Sequence, residues 1–132
     1  MTSDPSLTTL DVNLDERRIL VLEDEYFIAD DIAGALHRFG AEVVGPVPDV
    51  GAARALSSTA YDCAVLDINL KGEMVFDFAD ELLARGTPFV FATGYDAPVV
   101  PDRLAHVIRC EKPLNLSALV QAVARVVGSG PA

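Results

Sequence analysis

Residues 18–25 read RILVLEDE, a short aliphatic run that breaks into three consecutive acids. A run this short, with apolar residues at adjacent positions, suits a strand buried on both faces, and such strands belong to parallel sheets covered by helices on both sides. Working outward, comparable runs are EVVGPV (42–47), CAVLD (63–67), PFVFA (88–92) and HVIRC (106–110). Each is rich in Val, Ile, Leu or Phe. Helical patterns fill the gaps. The first puts Ile28, Ile32, Leu36 and Phe39 on one face, with Gly40 placed to end it. A short second helix carries Ala52, Ala53 and Leu56 behind an Asp49 cap, and a third runs from about Val75 to Arg85, with Phe78, Leu82 and Leu83 inward and Gly86 as its stop. The last is capped by Asn115, carries Leu116, Leu119, Val120 and Val123, and stops at Gly128. In GYDAPVVPDRLA, after the fourth strand, Pro98 and Pro101 confine any helix to a turn or two. The expected fold is therefore α/β, a doubly wound five-stranded parallel sheet flanked by five helices, one of them poor.

At 132 residues and 14.1 kDa the chain has material for one such domain. Residues 1–16 are polar and acidic and read as a loose arm, 17–128 as the folded domain, and 129–132 as a tail. An apolar fraction of 51% excludes disorder over the whole length. The formal charge of −10 opposes any nonspecific grip on nucleic-acid phosphates or anionic lipid, so neither partner is expected. The first basic residue is Arg17 and no long apolar run follows Met1, so neither a secretory leader nor a membrane span is placed. A cytoplasmic address is the expectation. Cys63 and Cys110 lack metal-ligand spacing and read as core thiols.

In a doubly wound sheet, ligands sit beyond the carboxyl ends of the strands. The first strand ends in Glu23-Asp24-Glu25, the third in Asp67, the fourth in Thr93-Gly94 and the fifth in Lys112-Pro113. Carboxylates crowded in a partly desolvated pocket either take up protons or recruit a hard divalent cation, and Mg²⁺ suits oxygen ligands from Asp24, Asp67 and a backbone carbonyl. Asp67 is then a nucleophile able to form an acyl phosphate, with Lys112 as counter-charge and the Thr93 hydroxyl as hydrogen-bond donor. Taken singly, each group has a bland reading: a solvated acidic turn, a strand-ending cap, an ordinary turn, a surface lysine. Their joint occurrence at successive strand ends points to one chemistry.

With ILVLEDE, AVLDINL, FATGY and CEKP in this order, spanning about residues 18–127, the chain resembles a response-regulator receiver domain of two-component signalling. The resemblance implies a flavodoxin-like sheet of order 2-1-3-4-5 and a Mg²⁺-dependent phosphoacceptor at Asp67, charged by a histidine kinase or a histidine phosphotransfer protein. It also implies Asp24 and Asp67 as direct metal ligands, the backbone carbonyl of Asn69 as a third, and Glu23 acting indirectly. Thr93 matches the switch hydroxyl. Lys112 matches the family's lysine and precedes a Pro113 whose peptide bond is cis in the family.

Three positions depart from the common pattern. Arg109 stands where an aromatic usually precedes the lysine by three, which leaves Tyr95 as the nearest substitute reporter, and Lys71 stands where many receivers carry proline. FATGY, preceded by PFVF, resembles a subgroup often found as free-standing domains. The last helix is expected to end only a few residues before Ala132, so output through a downstream protein target is expected. Two other readings remain: a binding module that works without phosphorylation, and an Asp-nucleophile phosphatase. The second lacks its general acid, because Asn69 occupies the position where haloacid-dehalogenase enzymes carry a second Asp.

Overall fold

In a computed structural model, which describes residues 10–70, 73–94 and 99–128, the five apolar runs form one all-parallel sheet. Its strands are β1 (Arg18–Leu22), β2 (Glu42–Val47), β3 (Cys63–Asp67), β4 (Phe89–Thr93) and β5 (Arg109–Glu111), in the order β2-β1-β3-β4-β5. Every residue of β3 and β4 is buried, because helices cover both faces. The period-two alternation of strands then sorts side chains into two cores. Leu20, Leu22, Ala64, Leu66, Phe89 and Phe91 point to one face, and Ile19, Val21, Cys63, Val65 and Val90 to the other.

Helices α1 (Tyr26–Arg38) and α4 (Leu116–Val126) cover the second core, while α2 (Val50–Arg54) and α3 (Phe76–Arg85) cover the first. The expected caps are present. Asp49 accepts from the Ala52 N–H at 2.7 Å and Asn115 from the Ala118 N–H at 3.0 Å. Gly86 ends α3 at φ 74°, in the left-handed region that glycine enters without a Cβ penalty. Among the described residues no helix is long and apolar enough to cross a membrane.

Four expectations need correction. The fourth strand lies one residue later than expected, at Phe89–Thr93. The fifth begins at Arg109 and not at His106, because a 3-10 turn over Asp102–Leu104 extends through a Val107 N–H bond to the Leu104 carbonyl, and this turn stands where the poor helix was expected. Leu83 is 41% exposed. The buried stripe of α3 runs through Phe78, Ala79 and Leu82, continues the line of Val75, and leaves Leu83 roughly 90° off its centre.

The fourth concerns the N-terminal arm. Leu14 is fully buried against the α1–α4 core and donates its N–H to the Phe39 carbonyl at 2.8 Å, and Leu10 and Val12 pack partly against the same core. The Asp15 carboxylate occupies the space a Cβ on Gly40 would need, which explains a glycine there at φ 99°. Residues 10–16 are thus a packed segment. Residues 1–9 and 129–132, and the positions Lys71, Tyr95 and Pro98, lie outside the described residues.

The sheet's edges are β2 and β5. Against β1, the partner of Leu20 is Val44 and that of Leu22 is Val47, so the register shifts at the Gly45-Pro46 step. β5 is only three residues long.

Candidate functional site

Parallel pairing brings the carboxyl ends of neighbouring strands to one edge, and the side chains just past those ends meet there. Glu23 follows β1, with its N–H bonded to the Val47 carbonyl at 3.0 Å, and its side chain is buried. Asp67 closes β3 opposite Ala92 of β4 and is 4% exposed. Thr93 is the next residue of β4, opposite Glu111, and its carbonyl accepts the Lys112 N–H at 2.7 Å. The Lys112–Pro113 peptide bond is cis, as the resemblance implies.

From that backbone position the Lys112 ammonium reaches Glu23 Oε1 at 3.0 Å and Asp67 Oδ2 at 3.3 Å. The Lys112 ammonium is the partner of the buried Glu23 Oε1. Glu23 Oε2 accepts the Glu25 N–H at 3.1 Å, and Asp67 Oδ1 accepts the Asn69 N–H at 3.3 Å. One carboxylate oxygen from each of Glu23, Asp24 and Asp67 falls within 4.8 Å of the others.

The electrostatics follow from burial and proximity. Asp67 is pushed up to about 7, first by burial and then by Glu23 beside it, against the opposing pull of Lys112. Burial alone would lower Lys112, but Glu23 and Asp67 overcome it and hold the ammonium above the ordinary lysine range. Three carboxylates thus share one cation, and the excess negative charge fits a second, hard cation with oxygen preference. Mg²⁺ meets that description.

Of the predicted site residues, Glu23, Asp24, Asp67 and Lys112 bring their side chains together at this edge. Asn69 reaches it through its backbone, and Thr93 lines a cavity of about 500 Å³ with Val107, Arg109 and Glu111. Arg109 therefore borders Thr93 from the edge strand. A cavity of about 660 Å³ between α1 and β2 contains none of these groups, so volume alone does not mark the site. The thiols stand apart from it: Cys63 is buried and pushed up to about 12, and burial also raises the half-buried Cys110.

Sequence reasoning missed two features. Tyr26 and Phe27 open α1 at 76% and 81% exposure with their rings edge-on at 5.6 Å, and Tyr26 joins Pro46 and Pro48 around a cavity of about 230 Å³ beside Glu23 and Asp24. Their adjacency to the acidic run was the available signal. The second is an antiparallel ladder directly after Asp67, pairing Asn69–Leu70 with Glu73–Met74. Two-residue strands leave no periodicity to read.

No family model matches the chain. Over 115 residues it is 29% identical to the transcriptional regulatory protein PdtaR of Mycobacterium tuberculosis, a match covering 81% of this chain. The chain spans about half the length of that curated relative, 55%. It superposes on the solution structure of SdrG from Sphingomonas melonis Fr1 with a TM-score of 0.75 at 34% identity, covering 84% of this chain and 96% of that one. The crystal structure of the response regulator PhyR from Brucella abortus matches with a TM-score of 0.73 at 24% identity, over 95% of this chain and 51% of that one, a likeness of fold.

Proposed function

The chain belongs to the response-regulator receiver family, and from that premise we propose that Asp67 accepts a phosphoryl group from the phosphohistidine of a histidine kinase or a histidine phosphotransfer protein. The observation that carries this reading is the Lys112 ammonium, 3.0 Å from Glu23 and 3.3 Å from Asp67, at the edge where Asp24 completes the acidic group. In the transfer, a carboxylate oxygen of Asp67 bonds to phosphorus as the P–N bond breaks, and the imidazole leaves and takes a proton from solvent. Water later cleaves the acyl phosphate and restores the carboxylate.

Asp67 must be ionised to attack, and Lys112 favours that form by charge and then neutralises the phosphoryl oxygens. Thr93 donates its hydroxyl to one of those oxygens and so couples the acyl phosphate to the β4 end and the cavity bordered by Arg109. Asp24 and Asp67, with the Asn69 carbonyl and with Glu23 acting indirectly, are the ligand set for Mg²⁺, which when bound supplies the positive charge that lets two anions approach. The chemistry is limited to the domain's own phosphorylation and hydrolysis, and the output is contact with a downstream protein. A cytoplasmic address goes with this reading.

The test is intact-mass spectrometry after incubation with acetyl phosphate, with and without Mg²⁺, and with a phosphorylated histidine-kinase donor. A single phosphoryl adduct is expected that requires Mg²⁺ and disappears in Asp67→Asn. Absence of the adduct with both donors would leave a module that binds its partner without phosphorylation.

A further inference from the structure

The ladder that follows Asp67 is tied to a distant helix by one side chain. Glu73 pairs with Leu70, and its Oε1 accepts the Val50 N–H at 3.3 Å, at the first position of α2. That N–H has no partner inside the helix, and neither does the Ala52 N–H, which Asp49 takes. The α2 helix is only five residues long, and at its other end Arg54 pairs with Glu81 on α3. The segment leaving Asp67 is thus held against the start of α2 through Glu73. Ile68 and Leu70 are buried in the core, while Asn69, between them, pairs with Met74 and donates its N–H to Asp67.

We infer that Glu73 is a positioning residue for the phosphoacceptor: by holding the ladder against the start of α2, it keeps the Asn69 backbone in register with the Asp67 carboxylate. This rests on the reading of Asp67 as phosphoacceptor. Glu73 is solvent-exposed and is not among the acids gathered at the strand ends, so it acts through the Val50 contact and touches no reacting atom. An exposed carboxylate beside a helix N-terminus is also favoured by the helix dipole, but the register requires only an acceptor oxygen, which glutamine also supplies.

The experiment follows the rate of phosphoryl-adduct formation from acetyl phosphate at saturating Mg²⁺, together with thermal melting of each variant. Glu73→Ala should slow the adduct about fivefold, the factor one hydrogen bond of ordinary net strength carries. Glu73→Gln should recover the wild-type rate within about twofold. Val50→Pro removes the donor at a helix position that tolerates proline, after an Asp49 already extended at φ −151° and ψ 167°. In that background Glu73→Ala should add nothing.

Wild-type rates in both Glu73 variants would overturn the inference while leaving the phosphoacceptor reading intact. Equal slowing by alanine and glutamine would overturn it in favour of a charge effect. A rate loss that only tracks the unfolded fraction would overturn it as a stability effect. If wild type forms no adduct from either donor, the phosphoacceptor reading fails first and removes its basis.

Discussion

Asp67 sits beside Glu23 with almost no solvent, and the fold holds it at about 7, far above an ordinary aspartate. A carboxylate raised in this way makes the folded state bind more protons than the unfolded one between roughly pH 4 and pH 7. Its contribution to stability is complete below the unfolded value and is lost as pH rises through about 7. Replacing the carboxylate by an amide should therefore stabilise the metal-free protein at pH 8, by about 1–4 kcal/mol, and the gain should vanish toward pH 4. Paired melting curves of wild type and Asp67→Asn across that range check the sign. Lys112→Ala should act oppositely, leaving two buried carboxylates without a counter-charge at a cost of about 2–4 kcal/mol at pH 8. Mg²⁺ should then raise the melting temperature of wild type more than that of Asp67→Asn, since the amide lacks one anionic ligand. Titration with EDTA and then MgCl₂ during melting measures this. These groups were legible in the sequence because each directly follows an apolar strand. The Glu73 contact was not, since it depends on where a two-residue ladder lands against a helix 23 residues away.

The structural elements divide in the same way between local and distant causes. Caps and stops are written in adjacent residues, and Asp49, Asn115, Gly40, Gly86 and Gly128 all act where the local pattern puts them. Leu83 and the start of β5 depended on packing. An apolar residue at the border of a helical stripe turns inward only if the neighbouring layer reaches it, and the apolar HVIRC run spends its first two residues completing a turn. Leu83→Glu should therefore change stability by no more than about 0.5 kcal/mol, whereas Leu82→Ala, in the core, should cost about 2–5 kcal/mol. Urea unfolding of both variants distinguishes the expected stripe, with Leu83 inward, from the observed one. Gly40→Ala should cost more than Gly86→Ala, because both sit at positive φ but only Gly40 faces the Asp15 carboxylate.

For the whole molecule, strand order and layer assignment could be read from the alternation of runs together with the family resemblance. Average composition concealed the seam at the N-terminus. Leu10, Val12 and Leu14 alternate within a stretch whose overall polarity suggested a loose arm, and only the structure shows Leu14 filling the end of the α1–α4 core. Leu14→Ala should cost about 2–5 kcal/mol, the value for a core leucine and not for a tail residue, and a drop in the urea midpoint at unchanged slope would register it. The sheet's borders bear on how the protein behaves at high concentration. Pro46 offers no N–H along the β2 border, the register against β1 shifts beside it, and β5 is only three residues long. Among the described residues neither border presents a long, flat template on which chains stack into fibrils, so colloidal association of the folded protein should be governed by its charge of −10 and should rise with ionic strength.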